Sequence, residues 1–130
     1  MLRVLIKTQS HYTINRARVR DIIARVLKDK GVKAPVEVSL CVVGDRMMKK
    51  MNKTYRQKDE TTNVLYFPLT ESSRKDHFVD PPDDVLYLGD IIISYPFARD
   101  EAIDENKMMD DKIDELVEHG LLHLLGYHHE

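Results

Sequence analysis

A chain of 130 residues with 42% hydrophobic and 32% charged side chains has the composition of one soluble globular domain, 1–130, long enough to bury a core without disulfides. No run approaches the roughly 18 apolar residues of a membrane span, and Arg3, Lys7 and Gln9 interrupt the N-terminal stretch before a signal-peptide core develops, so the expected location is the cytoplasm. The net charge of −2 conceals a split: residues 1–58 carry fifteen Lys and Arg against four Asp and Glu, and residues 59–130 carry five against eighteen, leaving either a basic face open to a polyanion or two halves that neutralise each other in space.

The first eight residues read as a strand in which Leu2, Val4 and Ile6 alternate with Arg3, Leu5 and Lys7. A helix follows, with Asn15 as N-cap, Val19, Ile22, Ile23, Val26 and Leu27 along one face, and Gly31 at its C-terminal stop. Pro35 opens a second strand, where Val36, Val38, Leu40 and Val42 mark a buried face. Cys41, the lone cysteine, lies inside that run and reads as core packing, not redox chemistry. The stretch "DRMMKKMNKTYR" is a basic amphipathic helix with Met48, Met51 and Tyr55 on the apolar side and Arg46, Lys49, Lys50, Lys53 and Arg56 on the other. Residues 63–69 form a third strand candidate that Pro68 shortens or confines to an edge. The polar stretch with Pro81 and Pro82 reads as a long exposed loop holding His77, which, like His11, is assigned to the surface.

"LYLGDIIISY" is apolar enough for a central strand. Ser94 caps the helix after it, Pro96 suits the first turn, and "FARDEAIDENK" continues it. A final helix, about 110–125, buries Ile113, Leu116, Val117, Leu121 and Leu124 and stops at Gly126. Helices mixed with about four strands imply an α+β or α/β sandwich of one sheet and several helices.

That last helix carries the chemistry. His119 and His123 are four residues apart, so their imidazoles project from one face about a turn from each other and can share one ion. Gly126 permits a reversal that returns His129 to the same point, a three-histidine set whose fourth position stays open to water, the catalytic arrangement of zinc. His128 adjoins His129; as a fourth ligand it would close the site and make the metal structural. The spacing is also that of metzincin proteases, in which a Glu follows the first His as general base. Here Gly120 stands in that place, and Glu118 points about 100° away around the helix. Proteolysis by that route lacks its base.

"HGLLHLLGYHH" resembles the signature H-G-x-L-H-L-x-G-Y-D-H of the YbeY family of metal-dependent endoribonucleases. "MNKTYRQKDETTNVLYFP" resembles that family's L-N-x-x-Y-R-x-K-D-x-P-T-D-V-L-S-F-P segment, and "LGDIIIS" its L-G-D-I-x-I-S strand. Three blocks match in order from about residue 45 onward. The resemblance implies an α+β domain with a central mixed four-stranded sheet flanked by four to five helices, the metal-binding helix C-terminal. It further implies one Zn2+ held by His119, His123 and His129 with water, a nearby arginine matching Arg56, and cleavage of single-stranded RNA in 16S-type ribosomal RNA maturation and ribosome quality control. Precursor ribosomal RNA and the small subunit or its assembly factors are the implied partners; neither DNA nor a membrane is expected. Three positions depart from the pattern: His128 replaces an Asp, Asn63 another Asp, and Tyr66 a Ser.

Arg56 is either an ordinary solvated arginine at a helix end or, as the resemblance implies, a planar guanidinium that grips a phosphate in bidentate fashion alongside catalytic His119 and His123. Arg46, Lys49, Lys50 and Lys53 form either a track for an RNA backbone or a solvated helix face. Asp90 either orients a ligand histidine through its distal nitrogen, a supporting role also open to His128, or forms a turn. Tyr127 is placed to stack on an unpaired base, whereas Tyr55, in the apolar stripe, reads as core. The competing function is a ribosome-assembly module with a structural metal.

Overall fold

Alternating apolar residues in four segments and helical periodicity in four others define the elements. The computed structural model describes residues 1–9, 11–69 and 85–127. In chain order they are β1 (Leu2–Thr8), α1 (Arg16–Asp29), β2 (Val36–Val43), α2 (Asp45–Arg56), β3 (Val64–Pro68), β4 (Leu86–Ser94), α3 (Tyr95–Asp104) and α4 (Met109–Leu124). The sheet order is β1-β2-β4-β3, with β1, β2 and β4 parallel and β3 antiparallel to β4. This is one α+β domain with a mixed four-stranded sheet and four helices among the described residues. None of those helices is long and apolar enough to cross a membrane.

The expected caps are in place. Asn15 accepts from the Arg18 amide at 3.0 Å and Ser94 from the Phe97 amide at 3.2 Å, each satisfying one of the first amides of its helix. Pro68 sits at the end of β3, an edge strand, where its missing N–H leaves no ladder bond unmade. β4 is central, as its apolar run requires. α3 ends at Asp104 instead of continuing through Lys107, because Asn106 takes a left-handed φ of 56°.

Strand alternation divides the core in two. Val4, Val36, Val38, Leu40, Val42, Ile91 and Ile93 pack with α1 and α4 on one face. Val43, Leu65 and Ile92 pack with Met48 of α2 on the other, and Cys41 lies half-buried against them. Tyr55 is not core: it is 63% exposed and stands edge-on to Phe67, because the inward stripe of α2 runs through Met48 and Asn52, one turn apart. Asn52 is buried, with its Nδ2 donating to the Glu60 carbonyl at 2.9 Å.

A β-bulge sets the phase of β4. Leu86 and Tyr87 pair with Val36 and Glu37, but the next partner, Val38, meets Gly89, so Leu88 is an extra residue. Without it Asp90 would stand opposite Leu40 on the main core face. With it, Ile91 and Ile93 take that face and Asp90 turns to the other. Gly89 makes the bulge possible: its φ is +132°, and an added Cβ would lie 2.2 Å from the Phe67 carbonyl oxygen.

Charge is organised by the packing of α1 on α4. Arg18 bridges Asp111 at 2.6 Å and Asp114 at 2.7 Å, and Arg25 approaches Glu118 at 3.9 Å, so this part of the basic half is neutralised by the acidic half. Lys112 is buried, yet its ammonium reaches Glu115 at 2.8 Å, Glu105 at 3.1 Å and Glu101 at 3.7 Å, and Lys107 completes the cluster by pairing with Glu105 and Glu115. Burial alone would lower the Lys112 pKa; hydrogen bonds to Glu115 and Glu105 outweigh it and hold the group above the ordinary lysine range. Lys107 and then Lys112 hold the Glu105 and Glu115 carboxyls below the ordinary glutamate range.

Two predictions follow from these contacts. Gly89→Ala lowers the unfolding free energy in urea by about 3 kcal/mol, whereas Gly31→Ala, also at positive φ but with nothing within 4 Å of its new methyl, costs about 1 kcal/mol. The carboxylates with lowered pKa contribute stability above the unfolded glutamate value of about 4.3 and lose it as pH falls through their folded values. Wild-type urea midpoints therefore drop between pH 6 and pH 3, while Lys112→Met starts lower at pH 6 and drops less, so the two curves converge in acid.

Candidate metal centre

α4 brings two imidazoles together because four residues return the helix to nearly the same azimuth. His119 and His123 present their Nε2 atoms to each other at 3.1 Å, with ring centroids 4.5 Å apart and planes at 69°. Two imidazole nitrogens that share a tetrahedral zinc are about 3.3 Å apart, given Zn–N bonds of about 2.05 Å. The pair therefore fits a divalent cation. His119 is exposed and His123 half-buried, so the pair opens outward from the helix.

The helix lies unusually close to the sheet here. A Cβ on Gly120 would sit 2.9 Å from Cγ2 of Ile91, the branched and stiff part of that side chain. Gly120 thus faces the sheet, and the position after His119 holds no general base because any side chain there collides with β4. Tyr66 is the register partner of Ile91 across the β3–β4 pair and so shares its face. Its ring lies flat on His123, centroids 4.5 Å apart and planes within 7°. Sequence reading did not find this contact, since no local spacing links β3 to α4.

Beyond His123 the helix closes through Gly126, whose φ is +94° and whose amide donates to the His123 carbonyl at 3.0 Å, while the Tyr127 amide donates to that of Leu122 at 2.9 Å. Tyr127 is 45% exposed, and the Lys30 ammonium sits 4.5 Å over its ring. His128 and His129 lie outside the described residues, as do His77 and the rest of residues 70–84, the stretch expected to be a loop.

The other candidate residues are distributed around this pair. Asp90 does not share a face with His119 and His123: it pairs with Phe67 in register, and alternation puts both on the α2 face, opposite Tyr66 and Ile91. The bulge is the reason. Arg46, Lys49, Lys50, Lys53 and Arg56 are all exposed on α2, and Lys49 alone among them has an ion pair among the described residues, with Asp59 at 3.9 Å. They belong to the α2 face, so basic helix and histidine pair are separated by the sheet. They approach each other at β3, where adjacent residues diverge: Tyr66 to His123, Phe67 to Tyr55, next to Arg56. Asn63, at the start of that strand, donates to Glu101 at 3.0 Å. An Asp there would oppose that carboxylate.

Gly120→Ala is expected to destabilise the chain by about 1 to 2 kcal/mol although alanine favours helix, because overpacking outweighs propensity. In Ile91→Ala the same substitution costs less, and a double-mutant cycle on urea unfolding measures the difference.

The family described as "Endoribonuclease YbeY" matches residues 5–130. Curated proteins named "Endoribonuclease YbeY" from Dehalococcoides mccartyi and Roseiflexus castenholzii are 33% identical over 135 residues and 36% identical over 131. The first alignment covers 99% of this chain and 84% of the relative; the second covers 100% and 80%. A protein of the same name from Acinetobacter baumannii is 38% identical over 117 residues, 90% of this chain and 72% of its own. A Thermotoga maritima protein solved in solution superposes with a TM-score of 0.60 at 26% identity, covering 98% of this chain and 75% of its own. With a family match that runs from β1 through the helix carrying His119 and His123, the chain belongs to the YbeY family of endoribonucleases.

Proposed function

We propose that this protein is a zinc-dependent, single-strand-specific endoribonuclease that processes 16S-type ribosomal RNA precursors in the cytoplasm and serves ribosome maturation and quality control. The observation that supports it most is the pair of Nε2 atoms at 3.1 Å on an outward-facing helix surface. His119 and His123, joined by His129, would hold the ion. When bound, zinc supplies Lewis acidity toward a phosphoryl oxygen and lowers the pKa of a coordinated water toward about 7.

The remaining roles belong to the chain's own side chains. Arg56, exposed at the C-terminal end of α2, carries a fixed positive charge and a fork of donors suited to a phosphate whose charge rises in the transition state. Arg46, Lys49, Lys50 and Lys53 continue that charge along the helix and would bind the RNA backbone without reading sequence. Because α2 and α4 occupy opposite faces, an RNA engaged by both passes around the edge strand β3. An extended single strand bends that way readily; a duplex does not. Tyr127 offers a partly exposed ring for a base. The small ribosomal subunit and its assembly factors are the partners in which such an RNA is presented.

Purified wild-type protein should contain one zinc per chain by elemental analysis and cleave single-stranded RNA while leaving duplex RNA intact. His123→Ala should lose the metal and cleavage together. Arg56→Ala should keep the metal and cleave about 100-fold more slowly. If wild type cleaves no faster than His123→Ala, the metal is structural and the protein is an assembly module; full cleavage by Arg56→Ala removes that residue from the reaction.

A further inference from the structure

His123 lies half-buried under the flat face of Tyr66, with centroids 4.5 Å apart and planes within 7°. His119 is exposed. A histidine on a helix has two side-chain torsions, and the second is broad and roughly twofold, so the helix alone does not fix the plane of the ring. A near-parallel stack does: rotating His123 away from that plane gives up the contact. The plane so selected is the one in which its Nε2 lies 3.1 Å from that of His119.

Tyr66 is itself anchored. It pairs with Ile91 in the β3–β4 register, and Ile91 is the residue against which Gly120 seats α4, one turn before His123. One register pair therefore sets both the height of the helix above the sheet and the orientation of the ring it carries.

We propose that Tyr66 is a positioning residue that pre-orients His123 and so raises the affinity of the pair for a divalent cation, an inference that rests on the metal-binding reading above. Two effects act together. A ligand side chain already held in its binding plane has less rotational freedom to lose when the ion arrives. A coordinated imidazole also carries partial positive charge, which the electron-rich face of the phenol ring attracts, so the stack tightens in the loaded state. Neither effect needs the hydroxyl group.

The test compares wild type with Tyr66→Phe, Tyr66→Leu and Tyr66→Ser. In the metal-free proteins, carbon–proton NMR of the His123 ring should show an upfield ring-current shift in wild type and Tyr66→Phe that is absent from Tyr66→Leu and Tyr66→Ser. Competition with a chromophoric chelator should give Zn2+ and Co2+ affinities for Tyr66→Phe within about twofold of wild type, and about three- to tenfold weaker for Tyr66→Leu and Tyr66→Ser. Tyr66→Leu preserves apolar bulk in the strand, and a urea midpoint close to wild type separates ligand orientation from loss of fold. Equal affinities for wild type and folded Tyr66→Leu overturn the role of Tyr66 alone. Failure of the wild-type protein to take up either ion overturns the metal reading, and the affinity claim with it.

Discussion

The contact between Gly120 and Ile91 is the one on which the rest of the molecule depends. A helix that carries a histidine pair on one side and packs on a sheet with the other must stand at a fixed height, and here a missing Cβ sets that height. Ile91 is available as a seat because the bulge at Leu88 shifts β4 by one residue. The same shift sends Asp90 to the opposite face and aligns Tyr66 with the histidine face. A single inserted residue in one strand thus decides what the helix packs on, what stacks on its histidine, and which carboxylate stays away.

Electrostatics reinforce that arrangement without defining it. The basic surface of α1 is matched to the acidic surface of α4, so the charge split seen along the chain is partly closed in space. The cluster around Lys112 joins α3 to α4 and, through Glu101 and Asn63, reaches the start of β3. α2 is left carrying exposed cations, with one weak ion pair among the described residues. Such a surface attracts a polyanion at long range, with a strength that falls as salt rises.

Much of this was legible in the chain before any coordinates, where the governing forces are local. Helical periodicity identifies the apolar residues of the buried stripe of α4, though not Lys112 or Gly120 beside them; Asn15 and Ser94 announce their caps, and the four-residue spacing of His119 and His123 implies a shared face. What escaped was set by pairing across the sheet. Tyr55 falls in an apolar stripe and so reads as inward, yet the helix turns Asn52 inward instead. The face that Asp90 takes is hidden likewise, because a strand sequence does not disclose its phase once a bulge intervenes. Gly89 in the middle of an apolar strand was the available signal. The Tyr66 stack had none, since it joins residues 57 positions apart. His128 and His129 lie outside the described residues.

The strand order has a consequence for how the molecule comes into being. β3 touches the sheet only through β4, which follows it in the chain, and α4 docks on both. A chain emerging residue by residue can pair β1 with β2 early, but β3 has no sheet neighbour until β4 has inserted. The ring of Tyr66 and the imidazoles of α4 can therefore meet only after β4 and α4 have both emerged. For a member of an endoribonuclease family, made on a ribosome and surrounded by RNA, that order keeps the stacked histidine face out of every unfinished copy.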